Sequence, residues 1–214
     1  MPVFARRRHA FVLALLLPFA APAQTLPRPA EFYFDRDDTV AAPIVVVTQS
    51  DDEKAIALLL RQRDRGGRDA DKATAQLARI AMASRRTDTG HALYRELLAR
   101  ATVGGSLRQS VAWNYGWDLY RAGDVEGALR QWSDALSGRL AKPAWAPPTF
   151  ALALWKLDRK PEAVRWYAAA VRTEPQQWID PARLPALLPD WTQADRDTLA
   201  EVQAAWAKDP PAWP

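Results

Sequence analysis

The sequence predicts an all-α protein: a short α-solenoid of antiparallel helix pairs, preceded by an extended N-terminal arm and closed by a C-terminal capping helix. Three observations carry this expectation. From residue 50 onward, apolar residues recur at helical spacing, as in Ala73, Leu77, Ile80 and Ala81. The helical runs cover about 11–16 residues between short breakers, the loop lengths that join antiparallel neighbours. A pattern of large and small residues over 112–136 also returns 35 residues later.

The first 23 residues read as a signal peptide. Arg6, Arg7 and Arg8 form a charged start, Ala10 to Ala20 an apolar stretch, and Ala21-Pro22-Ala23 a small-residue cleavage site before Gln24. Eleven apolar residues fall well short of the ~20 that cross a bilayer, so cleavage is expected rather than anchoring. The same arginines explain an apparent basicity. The chain carries 29 basic and 25 acidic residues; without the three arginines 26 basic ones remain, a net charge near +1. Such a balance offers no field for nucleic acid. With no cysteine there is no lipid-modified N-terminus, disulfide or thiolate chemistry. A periplasmic or secreted protein without a membrane span is expected.

Residues 24–49 differ from all that follows. Pro27, Pro29 and Pro43 interrupt two β-prone runs, Phe32-Tyr33-Phe34 and Ile44-Val45-Val46-Val47, so this stretch is read as an extended arm. It either packs on its own domain or pairs as a strand with another chain. Residues 50–209 form the helical domain. Ser50-Asp51-Asp52-Glu53 is a capping box before Ile56-Ala57-Leu58-Leu59-Leu60, and Gly66-Gly67 ends that helix. A second helix begins near Asp69, and Thr87 or Asp88 caps the third. After Gly104-Gly105, helices are expected at 107–121, 124–137, 147–157 and 160–173. A proline-punctuated stretch then leads to Asp190, and Thr192 caps a last helix over 193–207. Its Leu199, Val202 and Trp206 are expected to cover the last pair while Asp195, Asp197 and Glu201 face water.

The segment Ala112–Leu136 resembles a tetratricopeptide repeat. Gly116, Ala128 and Ala135 match the small positions, Tyr115, Leu119 and Trp132 the large ones, and Gly123-Asp124 the turn. In a second copy Phe150, Ala151 and Leu154 align with Tyr115, Gly116 and Leu119, and Ala163, Tyr167 and Ala170 follow, with Asp158 at the turn. A weaker copy holds Leu77, Ala78, Ala81, Gly90, Tyr94 and Leu97, with Arg85 at the turn. The repeats cover about 71–104, 109–142 and 144–177.

Catalytic groups are sparse. Beyond the signal stretch there is one histidine, His91, and the carboxylates sit as helix caps and solvated faces; no Gly-rich phosphate loop or HExxH is present. No enzyme activity, cofactor or metal is expected. The unusual feature is tryptophan: all ten lie between Trp113 and Trp213. The resemblance implies that the first helix of each pair lines a concave groove. Trp113, Asn114, Trp117 and Arg121 would face it from one repeat, Trp145 and Trp155 from the next, and Lys72, Gln76 and Arg79 from the first. Such an aromatic groove suits a segment of an envelope protein, or alternatively a cell-wall glycan. The rings either stand open or are covered by the arm or the C-terminal segment.

Overall fold

A computed structural model describes residues 26–29, 38–48, 53–67, 69–139 and 143–212. The signal segment with its cleavage site, the run Phe32-Tyr33-Phe34 and the capping residues Ser50, Asp51 and Asp52 lie outside them. Among the described residues the secondary structure is entirely helical, with helices packed as adjacent antiparallel pairs in a short solenoid. None is long and apolar enough to cross a membrane.

A helix α1 (Glu53–Arg65) packs on the first pair, α2 (Ala70–Ala83) and α3 (Thr87–Arg100). The second pair is α4 (Ser106–Arg121) with α5 (Val125–Ala135), and the third is α6 (Ala146–Lys156) with α7 (Lys160–Thr173). These bounds fall within a residue or two of the expected ones because glycine and proline punctuate them. One cap differs: Arg86, not Thr87 or Asp88, precedes α3, and Thr87 is its first helical residue. The proline-rich stretch is not bare loop. It folds into the short helices α8 (Pro175–Trp178) and α9 (Leu184–Leu187) around a single 3₁₀ turn at Pro181–Arg183.

All three pairs turn in the same way. Arg85, Gly123 and Asp158 adopt left-handed φ values of 59°, 90° and 57°. In each turn the next amide closes back across five residues: Arg86 to Ala81, Asp124 to Leu119 and Arg159 to Leu154, at 2.8–2.9 Å. This is the hydrogen bonding that satisfies the last carbonyls of a helix. The glycine serves the middle turn without strain, while Arg85 and Asp158 hold a backbone that side chains rarely adopt.

The small and large residues aligned in sequence are buried in every pair. Their logic is clearest at Gly116, where a Cβ would stand 2.3 Å from Trp132 Nε1. Trp132 is fully buried there and donates through Nε1 to the Trp113 carbonyl at 3.2 Å. In the first pair the same close approach occurs at Gly90, 2.6 Å from Met82.

Helix α10 (Gln193–Lys208) closes the last pair. Leu199 and Val202 are fully buried against it, and the Trp206 ring lies 6.3 Å from that of Tyr167. Asp195 departs from expectation: it is buried, not solvated. The start of α10 leans on the end of α4, so the Asp195 carboxylate accepts from Tyr120 Oη at 2.6 Å and from Thr192 Oγ1 at 2.6 Å. Asp197 and Glu201 do stand exposed.

Gly116→Ala forces a methyl into the Trp132 ring. Overpacking of this kind costs ~1–3 kcal/mol, so the variant should unfold at lower denaturant than the native chain, measured by tryptophan fluorescence.

Candidate binding groove

On α2 the residues Lys72, Gln76 and Arg79 follow one another at helical spacing, and on α4 Ser110, Trp113, Asn114, Trp117 and Arg121 do the same. The structure brings these two rows side by side, as expected of first helices in successive pairs. The row does not stand open. Residues 38–48 of the arm lie along it, with a turn at Val40 and Ala41 and bends at Ala42, Val46 and Val47.

The arm is held mainly by its backbone. Gln76 Oε1 accepts from the amides of Val46 and Val47 at 2.7 and 3.0 Å, and Gln76 Nε2 donates to the Val47 carbonyl at 2.7 Å. On α4, Asn114 Oδ1 accepts from the Ile44 amide at 3.2 Å and Nδ2 donates to the Ala42 carbonyl at 3.0 Å. Ser110 Oγ donates to the Val40 carbonyl at 3.4 Å. Two side-chain amides thus do for the arm what a neighbouring strand would do, and no strand forms among the described residues despite the β-prone run. Each such bond contributes about 0.5–1.5 kcal/mol net, but leaving a buried amide unpaired costs more.

At Asp38 this stretch of the arm is latched by charge. The Asp38 carboxylate accepts from Arg139 Nη1 at 3.2 Å and from Trp145 Nε1 at 2.9 Å. Both partners of the ion pair are only 8% exposed. Beside it, Val40 is buried. At the other end Val46 and Val47 pack with Leu59, Ile80 and Leu77 in a small apolar cluster between α1 and α2.

The aromatic floor is covered too. Trp117 is buried, ringed edge-on by Trp132 at 5.1 Å, Trp191 at 5.4 Å and Tyr120 at 5.7 Å between centroids. Trp113 and Trp145 are half-buried. The Arg121 guanidinium lies over the Trp117 ring at 5.6 Å. Of the two arrangements compatible with the sequence, covering by the arm and the C-terminal segment is the one adopted. Trp155 leaves the set: its Nε1 donates to Glu201 of α10 at 2.9 Å, and Lys160 lies 5.2 Å over its ring. Nine residues past the start of α6, it meets the capping helix rather than the groove. Lys72 stays exposed at the groove's edge, 4.0 Å from Asp69.

Several groove residues are not among those expected from the sequence. Asp118, on the same α4 face, is buried and accepts from Tyr94 Oη at 2.6 Å and from Arg121 Nη1 at 3.3 Å. Burial raises the Asp118 carboxyl above its ordinary range against the pull of Tyr94, Arg121 and Arg79. Burial, then the Asp118 charge, pushes the Tyr94 hydroxyl well up. Following the α4 face from Ser110 through Asn114 would have found Asp118. Asp38 with Arg139, and Trp191 with Trp117, are pairings too distant in sequence to read. His91 faces Tyr115, Nδ1 to Oη at 2.9 Å. Among the described residues no cluster of three His, Cys, Asp or Glu could hold a metal ion. What the arrangement does chemically is to pair the arm's backbone and enclose indole rings.

Two variants check this geometry. Gln76→Ala removes the partner of two arm amides, so hydrogen exchange at Val46 and Val47 should speed by about tenfold or more while α4 and α5 stay protected. Asp118→Asn removes a carboxylate that burial disfavours. Because the folded value is raised, the native chain loses stability as pH rises from the ordinary carboxylate value through the folded one. The variant's melting temperature should therefore gain on the native one as pH climbs above the ordinary carboxylate range, and match it below that range.

No protein-family model matches the chain, and no curated protein or solved structure matches it either.

Proposed function

We propose that this chain is a non-enzymatic, tetratricopeptide-like interaction module of the bacterial envelope, whose groove takes an extended segment of a partner protein. In this reading residues 38–48 are a resident stand-in for that segment. One observation carries it: Gln76 and Asn114 present their amides to a backbone, not to particular side chains. Backbone pairing is the sequence-tolerant part of extended-peptide recognition, and flanking pockets supply selectivity. Here the flanking elements are the Arg139–Trp145 pair that holds a carboxylate and the buried seat of Val40. The three-part pattern at 1–23 supports export to the periplasm or outside the cell.

A glycan fits less well. Sugar stacking needs an open indole face, and Trp117 is enclosed by three rings.

A tethered arm competes at an effective concentration in the millimolar range, so a partner must outbid it or the latch must open. The test uses the full chain with Asp38→Ala and a labelled peptide of residues 38–48 added in trans. Fluorescence anisotropy should show saturable binding about tenfold tighter than to the native chain, whose own arm keeps its latch. Adding Gln76→Ala and Asn114→Ala should abolish it. Absence of saturable binding to the Asp38→Ala chain at millimolar peptide sinks the proposal.

A further inference from the structure

Where the arm crosses α4, a cavity of about 250 Å³ remains between Ala41 and Pro43 of the arm, α4, and residues 187–191. Its walls include Trp113, Trp117, Trp145 and Trp191, with Arg79, Arg121, Asp118 and Asp190 among them. At that volume it sits below the ~300–1,000 Å³ typical of small-molecule sites. It suits the docking of a few residues rather than the engulfing of a ligand.

The hydrogen-bonding character of these walls is lopsided. Among the described residues, Trp113 Nε1, Trp117 Nε1 and Arg79 Nε are closed to water and have no acceptor. All three are donors, and all belong to side chains that line this one cavity. Of the acceptors nearby, Asn114 Oδ1 is committed to the Ile44 amide and Asp118 to Tyr94 and Arg121, while Asp190 is exposed. Each unpartnered buried donor costs about 1–3 kcal/mol. Charge does not explain the imbalance, since two arginines meet two aspartates. No net field calls for an anion. The site wants neutral oxygen acceptors presented on an apolar body.

Proline-rich chain has that chemistry. Each proline offers a carbonyl and no N–H, and the extended polyproline helix leaves its carbonyls unpaired. Pyrrolidine rings dock between aromatic side chains, the usual mode of recognition for such segments. The chain already applies this to itself: Pro43 from the arm and Pro189 from the loop before α10 both line the cavity.

We infer that this cavity is a docking site for a proline-containing extended segment of a partner protein, with the half-buried Trp113 indole turning to donate to its carbonyls. The inference rests on the groove reading above and names the kind of segment that would enter.

The test records indole N–H resonances of the full chain, assigned by single Trp→Phe variants, while acetyl-decaproline-amide is added. The Trp113 indole should move downfield with saturation, and those of the enclosed Trp132 and Trp166 should stay still. Trp113→Phe keeps an aromatic ring and removes one donor, so it should weaken binding about fivefold. Three results overturn the proposal: no movement of the Trp113 indole at millimolar peptide, a larger response to acetate or glucuronate than to decaproline, or unchanged affinity in Trp113→Phe. The peptide of residues 38–48 on the Asp38→Ala chain separates the two ideas. If it binds and decaproline does not, only the cavity proposal falls; if neither binds, the groove reading falls with it.

Discussion

The contact between Trp132 and the bare Cα of Gly116 sets the position of nearly everything that matters here. Because residue 116 has no side chain, the indole of α5 lies directly on α4 and its N–H reaches the carbonyl of Trp113. The same ring forms one wall around Trp117. The packing that joins the second helix pair is therefore also what fixes the indoles of the groove. Core and candidate site are one layer of side chains seen from two sides, and Trp117 belongs to both.

From that layer outward the structure is a matter of where backbone polar groups go. An extended segment over a helical surface has amides and carbonyls that a helix backbone cannot pair, because its own ladder uses them. Gln76 and Asn114 solve this with one donor and one acceptor each, spaced so that both meet the same stretch of the arm. The buried pair of Asp38 and Arg139 adds position more than net stability, since two charges lose their water to form it. Aromatic edges then fill the space between helices and loop, at the price of indole N–H groups that face no oxygen.

Much of the fold was legible before any coordinates, for local reasons. Gly123, Asp158 and Arg85 could be placed at equivalent turns because the residues around them repeat, even where the glycine is lost. Helix ends followed the glycines and prolines. The groove was half legible. The resemblance implies Gln76, Asn114 and Trp113 as groove residues; in the structure the first two hold the arm and Trp113 adjoins it. That they hold the chain's own arm depends on contacts such as Asp38 to Trp145, between segments about a hundred residues apart with no shared pattern. Asp195 and Trp155 misled for a related reason. A carboxylate in a first helical turn and a tryptophan on a repeat helix both have an ordinary local reading, and only the lie of α10 decides which neighbour each one meets.

The side-chain amides have one more consequence, which concerns how such a sequence can change. Gln76 and Asn114 grip peptide units, so the exposed arm residues Ala42, Val45 and Thr48 contribute little identity to the fit. Substitution there leaves the grip intact, whereas a single change at either helix position releases several bonds together. The burden of invariance falls on two letters within helices, and the arm is left free to drift toward, or away from, the segment it stands in for.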